Sequence, residues 1–287
     1  MRAMEFIDAH DVSEALAALD ELGEDATVLA GGTDVVVQML AGDLRPAALL
    51  HIRPLTELGG VASNDRTNIG ALTTHWELAT SSLIHENHRA LAEAALTVGG
   101  RQTQNVGTIA GNVVNASPAA DLLPALLVAN ARVVAVSSSG QRSLPLEEFL
   151  VGRKRTALAP NELVTSISLE RPGARTGETY LKVGRRGAME VALVGLAVCV
   201  RLDEGDAIAE ARIAVCAVGP KPVRVHEAEA ALVGAGGEDA AVVEAGRLLQ
   251  RAARPIDDVR GTARYRSRVL PALLARAVSA CVERARS

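Results

Sequence analysis

NVGTIAGNVVNASPAADLLPAL, Asn105 to Leu126, sets glycine, threonine, serine and asparagine directly against an apolar segment. Small residues admit close backbone approach, and hydroxyl and amide side chains supply hydrogen bonds at the same place. The pattern predicts a loop facing something polar and sizeable, followed by a core helix that Asp121 opens. A carboxylate at a helix start accepts from the exposed N–H groups there, so helix capping is the role expected of Asp121 on its own.

Upstream of this stretch, DVSEALAALDEL places Asp11 three residues before Glu14, a capping-box spacing, and apolar residues recur at helical intervals up to Gly23. ATVLAGGTDVVVQML reads as a short β-branched run, a glycine turn and a second apolar segment, and ALLHIR as another strand. The N-terminal part is therefore a small α/β unit. From NIGALTTHWEL onward, short apolar pieces are joined by Gly, Thr, Ser and Asn, with a helix at RALAEAAL and strands at ARVVAVS and LVTSISL. This is an α+β arrangement rather than strict βαβ alternation. ERPGARTGE, Glu170 to Glu178, gathers Pro, Gly and charge and marks a domain boundary. Beyond it, ETYLKVG, VALVGLAVCVRL and ARIAVCAVG read as three strands, with DEGDA as a hairpin turn. HEAEAALVG, DAAVVEAGRLLQRAA and YRSRVLPALLARAVSACVERAR then carry the 3.6-residue apolar spacing of helices that cover the sheet.

The chain has 287 residues, 48% of them hydrophobic, enough for two domains. A formal net charge of -4 gives no basic field, which argues against nucleic acid and anionic membrane as partners. Cys199, Cys216 and Cys281 are widely spaced and form no CxxC, against a disulfide framework or zinc site and in keeping with a reducing cytoplasm. The opening MRAMEFIDAHDVSEAL lacks the apolar core of a signal peptide, and the longest apolar run, Val191 to Val200, is half of what a membrane helix needs. A cytoplasmic protein without a membrane span is expected. Aromatic residues make up 2%, too few for a row of stacking platforms, so a ligand must be held by backbone and polar groups.

LAGGTD, Leu29 to Asp34, repeats the chemistry of the opening stretch. Adjacent glycines expose successive N–H groups that can form an anion-binding nest, and Thr33 adds a hydroxyl. Alone, such a sequence is a common strand-connecting turn. Paired with Gly107, Thr108, Gly111, Asn112 and Ser117 from the other half of the first domain, it can clamp both ends of a long dinucleotide. Other constellations are weaker. His85 and His88 in HENH read as a surface helix or loop, His75 in TTHW as a packed histidine, and GRKR, Gly152 to Arg155, as a solvated basic turn. No catalytic residue and no metal ligand is expected, and hydrolysis is not suggested.

VLAGGTDVV, IGALTTHWEL, NVGTIAGNVVNASPAADLLPAL and YLKVGRRGAMEVALVGLAV occur in that order, and with IDDVRGTARYRSRVL the chain resembles the flavin-binding medium subunit of molybdenum hydroxylases. That family includes the carbon monoxide dehydrogenase medium subunit and the FAD domain of xanthine dehydrogenase. The resemblance implies a two-subdomain FAD-binding domain of the PCMH type, also called vanillyl-alcohol-oxidase-like, over 1–173, with subdomains of about 1–55 and 56–173. It implies a C-terminal α+β domain over 174–287, a three-stranded sheet with helices like that of the CO dehydrogenase flavoprotein. The cofactor-binding residues it implies are Leu29, Ala30, Gly31, Gly32, Thr33 and Asp34 around the diphosphate and ribityl chain, and Thr108, Ala110, Gly111 and Asn112 on the other side. Asp121 would add a contact to a hydroxyl or the flavin edge, and Val98, Val164 and Lys182 match further contact positions. A side chain at Gly32 would stand against the diphosphate.

The family's usual pattern differs at three places. Ala110 replaces a glycine and would be strained at positive φ, Gln104 replaces an arginine that could serve the cofactor or a partner surface, and Glu190 replaces an aspartate. The resemblance implies an FAD electron-transfer subunit, with a large molybdopterin subunit and a small 2Fe-2S subunit in a heterohexamer. Three scattered cysteines cannot hold a cluster, so the iron–sulfur centres belong to another chain. Two alternatives stay open at this point: a self-sufficient flavin oxidase or dehydrogenase, and a flavin-free assembly subunit of the same fold.

Overall fold

The computed structural model describes residues 4–236 and 239–287. Residues 1–3, within the expected first domain and the opening segment, and 237–238, within the C-terminal domain, lie outside the described residues.

The first unit runs β1 (Glu5–Asp8), α1 (Val12–Leu22), β2 (Ala26–Leu29), α2 (Val35–Ala41) and β3 (Ala48–His51). Its strands form a parallel sheet in the order β1-β3-β2. Asp11 caps α1 as its spacing predicted, with Oδ1 accepting from the Glu14 N–H at 2.8 Å. The apolar segment after LAGGTD is the helix α2, which ends at Gly42 in the left-handed conformation.

The second unit contains β4 (Val61–Ser63), β5 (Arg66–Gly70), α3 (His75–Thr80), α4 (Ser82–Asn87), α5 (Arg89–Leu96), α6 (Arg101–Gln104), α7 (Ile109–Asn115) and α8 (Leu122–Val128). It continues through β6 (Arg132–Ser137), β7 (Gly140–Pro145), α9 (Leu146–Phe149), β8 (Leu150–Gly152), β9 (Arg155–Thr156) and β10 (Leu163–Glu170). Five strands make an antiparallel sheet in the order β4-β5-β10-β6-β7, so the last strand inserts beside β5 and closes the unit. Every residue of α8 is buried, which explains why LLPALLV has no polar face.

The C-terminal unit has β11 (Thr176–Val183), β12 (Val194–Leu202), β13 (Ile208–Cys216) and β14 (Val223–Arg224), followed by α10 (His226–Leu232), α11 (Asp239–Ala252) and α12 (Ala263–Arg286). Its antiparallel sheet has the order β11-β12-β13-β14. The fourth strand exceeds the three expected, because a two-residue segment leaves no alternation to read in the sequence. Tyr180, Ala197, Cys199 and Ala214 on one face join the core of the second unit, whereas Leu196, Val198 and Val200 on the other pack with α10–α12. Helices thus cover both faces, and a central strand buried on both sides reads as the continuous apolar run VALVGLAVCV. The sheet and α12 meet so closely at Gly177 that a Cβ there would lie 2.0 Å from the Cys281 carbonyl oxygen. Among the described residues no helix is long and apolar enough to cross a membrane.

Candidate functional site

The glycine loop after β2 and the loop before α7 touch. A Cβ on Gly31 would stand 1.8 Å from the carbonyl oxygen of Val106, so only glycine admits the approach. Asn115 Nδ2, at the end of α7, donates to Asp34 Oδ1 at 2.9 Å and joins the loops a second time. The loop before α7 is held from behind, where His75 N–H donates to the Gly107 carbonyl at 3.0 Å. Beside this junction opens a cleft of about 800 Å³, within the size range of small-molecule and cofactor sites.

Of the residues that sequence reasoning put at the site, Ala30, Gly31, Gly32, Thr33, Asp34, Val98, Thr108, Ala110, Gly111, Asn112, Asp121 and Val164 line this cleft. Leu29 and Lys182 stand outside its lining. Leu29 ends β2 with its side chain beside Gly32, and Lys182 reaches Asp121 Oδ2 at 2.8 Å and the Thr97 carbonyl at 2.9 Å. Gly32 has φ +72°, and a Cβ there would meet Val36 at 3.3 Å and Leu29 at 3.4 Å.

Asp121 differs from expectation as well. It occupies the position before α8, yet its side chain caps nothing there. Oδ1 instead accepts from the Tyr180 hydroxyl at 2.6 Å and Oδ2 from Lys182. Two donors from β11, one of them cationic, outcompete weaker helix N–H groups for a buried carboxylate. Thr108 is the residue that caps, with Oγ1 accepting from Gly111 N–H at 3.1 Å and its own hydroxyl proton left for the cleft. Ala110 lies within helical α7 and not at positive φ, so no strain attaches to it. Gln104 is buried and donates to the Leu96 carbonyl, a structural bond that faces neither cleft nor surface. His88 is fully buried against Thr67 Oγ1 at 3.0 Å rather than on the surface, while His85 is exposed. Among the described residues no group of three or more His, Cys, Asp or Glu could hold a metal ion.

Residues 2–171 match the family model described as FAD binding domain in molybdopterin dehydrogenase, and residues 179–281 match that of the CO dehydrogenase flavoprotein C-terminal domain. The chain belongs to the FAD-binding subunits of the molybdopterin dehydrogenase family. It is 32% identical over 285 residues to the 6-hydroxypseudooxynicotine dehydrogenase complex subunit alpha of Paenarthrobacter nicotinovorans, which covers 99% of this chain and 96% of that one. It is 32% identical over 271 residues to the carbon monoxide dehydrogenase medium chain of Hydrogenophaga pseudoflava, covering 94% and 93%. The structure of a carbon monoxide dehydrogenase from Hydrogenophaga pseudoflava, which lacks the Mo-pyranopterin moiety, superposes with a TM-score of 0.94 at 31% identity over 98% of each chain. As a member of this family the chain is an oxidoreductase subunit whose cofactor is FAD.

The cleft of this FAD-binding subunit suits that cofactor on its own chemistry. The N–H groups of Gly31, Gly32 and Thr33 donate to no protein acceptor among the described residues, and such a run of free donors forms a nest for an anion. Among the described residues no lysine or arginine lines the cleft, so a diphosphate there would depend on those N–H groups and on hydroxyls. Asn112 Oδ1 and His75 Nδ1, on residues that line the cleft, are buried without a partner among the described residues. Burial raises the carboxyl of Asp34 against the opposing pull of Lys154 and Asn115, and raises that of Asp121 against Lys182 and Tyr180. Burial pushes His75 down to about 4, so the ring is neutral near pH 7. Met189, Glu190 and Val191, from the loop between β11 and β12, also line the cleft. Sequence reasoning missed their place there because they belong to the other domain and carry no polar pattern; Glu190 alone was noted, as a departure from the family.

Proposed function

We propose that this chain is the electron-transfer subunit of a molybdenum hydroxylase complex, receiving electrons from a 2Fe-2S partner and passing them through FAD to a terminal acceptor. The observation that carries the reading is the nest at Gly31–Thr33 held against the Val106–Asn112 segment. Bound FAD supplies a junction between one-electron and two-electron carriers.

The chain's own residues bind and orient. Gly31, Gly32 and Thr33 would hold the diphosphate through backbone N–H groups, and Thr108 and Asn112 would bond from the facing wall. Val98 and Val164 would exclude water along the ring system, and Asp121, with Lys182 behind it, would offer a carboxylate oxygen to a hydroxyl or a ring edge. Leu29 would act by packing behind the loop rather than by contact.

The partners in this reading are a large molybdopterin subunit and a small 2Fe-2S subunit in a cytoplasmic heterohexamer. Two relatives of nearly equal similarity carry the names of unlike substrates, carbon monoxide and 6-hydroxypseudooxynicotine, which supports assigning substrate choice to a partner. The proposed domain division is 1–173 and 174–287, supported by β10 ending at Glu170 in one sheet and β11 starting at Thr176 in another.

Affinity purification from a native host, with mass analysis of what accompanies the chain and a visible spectrum of the eluate, tests this reading. Flavin absorption together with a molybdopterin subunit and a 2Fe-2S subunit is the expected result. A chain that stays colourless after incubation with FAD contradicts it.

A further inference from the structure

Asp121 stands at the cleft wall in the first domain, but both of its oxygens are held by the C-terminal domain. Tyr180 and Lys182 are two apart on β11 and therefore share a face of the strand. The phenol gives Oδ1 a short bond of 2.6 Å, and the ammonium bonds Oδ2 at 2.8 Å while Thr97 O takes a second of its protons at 2.9 Å. The phenol lies across the neighbouring strand β12. A Cβ on Gly195 would come within 2.5 Å of both Tyr180 Oη and Cys216 Sγ, so glycine makes room for the ring to reach Asp121 and sets it beside the thiol. All four groups are buried or nearly so.

We propose that Tyr180 is a positioning residue of the cofactor site: its hydroxyl, opposite Lys182, locks the Asp121 carboxylate in one rotamer, so that the C-terminal sheet sets how an acid faces the cofactor. The cofactor's identity rests on the FAD reading; the lock itself does not. Two donors favour the ionised carboxylate, against the burial that disfavours it. Around this acid the charged and titratable groups are Lys182 and Tyr180 on β11, Cys216 on β13, and, in the loop before β12, Glu190, on which Lys182 acts. Burial keeps Cys216 and Tyr180 protonated, so neither competes for the negative charge.

The chain has only two tyrosines, Tyr180 and the half-exposed Tyr265, which allows a direct test. Full-length chain is labelled with 3-fluorotyrosine and followed by fluorine NMR against pH, with and without FAD. The Asp121 carboxyl is followed by carbon NMR in the unlabelled chain and in Tyr180→Phe, which keeps the ring and therefore the packing. The Tyr180 resonance is expected to move with the Asp121 titration while Tyr265 does not. In Tyr180→Phe that titration is expected to rise by about one pH unit, the loss of one charge-assisted bond, with secondary structure unchanged. In flavin-loaded chain, the pH dependence of the flavin midpoint potential is expected to shift in the same direction. An Asp121 titration at the same pH in both chains, or a Tyr180 resonance that ignores it, overturns the proposal. If the titration moves but no flavin binds, the FAD reading fails and the lock stands; if flavin binds and the titration does not move, the reverse holds.

Discussion

Gly31 and Val106, on loops far apart in the chain, are in backbone contact, with room for a hydrogen and none for a methyl group, since a Cβ would fall 1.8 Å from the carbonyl oxygen. The contact sets the width of the cleft beside it. Gly31→Ala must part the loops, and overpacking of this kind costs about 1–3 kcal/mol. FAD affinity is expected to fall by about tenfold or more in a fluorescence titration. Gly32→Ala has a different origin of strain: its Cβ would meet Val36 and Leu29 at 3.3 and 3.4 Å without parting the loops, and the left-handed backbone there costs about 1 kcal/mol of stability. Equal flavin affinity in Gly31→Ala and the parent would show that the loops do not clamp.

Arg266 is a fully buried side chain on α12 that ties three segments together. It donates to Asp258 Oδ1 at 2.6 Å, to the Ala217 carbonyl at 2.9 Å and to the Leu193 carbonyl at 3.4 Å. The Arg260 and Arg266 guanidiniums hold the Asp258 carboxyl well below the usual range. Arg266→Met takes the guanidinium from the Ala217 and Leu193 carbonyls and leaves Asp258 to Arg260 alone among the guanidiniums, and urea unfolding is expected to show a loss of about 3–5 kcal/mol. Adding Asp258→Asn should cost less in the Met background than in the parent, because the carboxylate there has already lost one of its two guanidinium partners and keeps only Arg260. Additive losses would mean that the pair does not act as a unit.

Stability should respond to pH in two opposed ways. Burial holds His75 and His88 at about 4, below their ordinary 6.5, with Arg212 and Arg66 also acting on His88. Between those values the unfolded chain binds more protons, so the stability these rings contribute is complete above pH 6.5 and is lost as pH falls toward 4. Glu178 is opposite in sign. Burial raises it to about 7 from 4.5, despite Arg212, so the folded chain holds the extra proton and stability falls as pH rises through that window. His88→Gln, which can still meet Thr67, is expected to remove about 3 kcal/mol of the acid-side loss, and Glu178→Gln about 3 kcal/mol of the decline as pH rises, since the two shifts are equal in size. Urea unfolding at about pH 4, 6 and 8 separates them. Parallel stability curves for parent and variants would contradict both assignments.

The two loops were legible because two clusters of glycine, hydroxyl and amide residues occur in one domain, and close approach and bonding are what such residues permit, as at Gly31 and Thr108. The long helices were legible from period, and the doubly covered β12 from its unbroken, valine-rich apolar run. What stayed hidden depended on tertiary partners. His88 sits in a polar-looking HENH stretch yet is buried, because the junction between α4 and α5 turns it toward Thr67 on β5. Asp121 looked like a cap, and only the register of β11 brings Tyr180 and Lys182 to it. Ala110 looked costly from a family pattern but lies in a helix, where alanine is the best residue.

Amide hydrogen exchange of the purified full-length chain with and without FAD, read beside its visible spectrum, tests the shared grip most directly. The expected result is one flavin per chain, with protection gained together at residues 30–34 and 107–112. Flavin bound with protection at only one of these segments, or protection of neither, would contradict it.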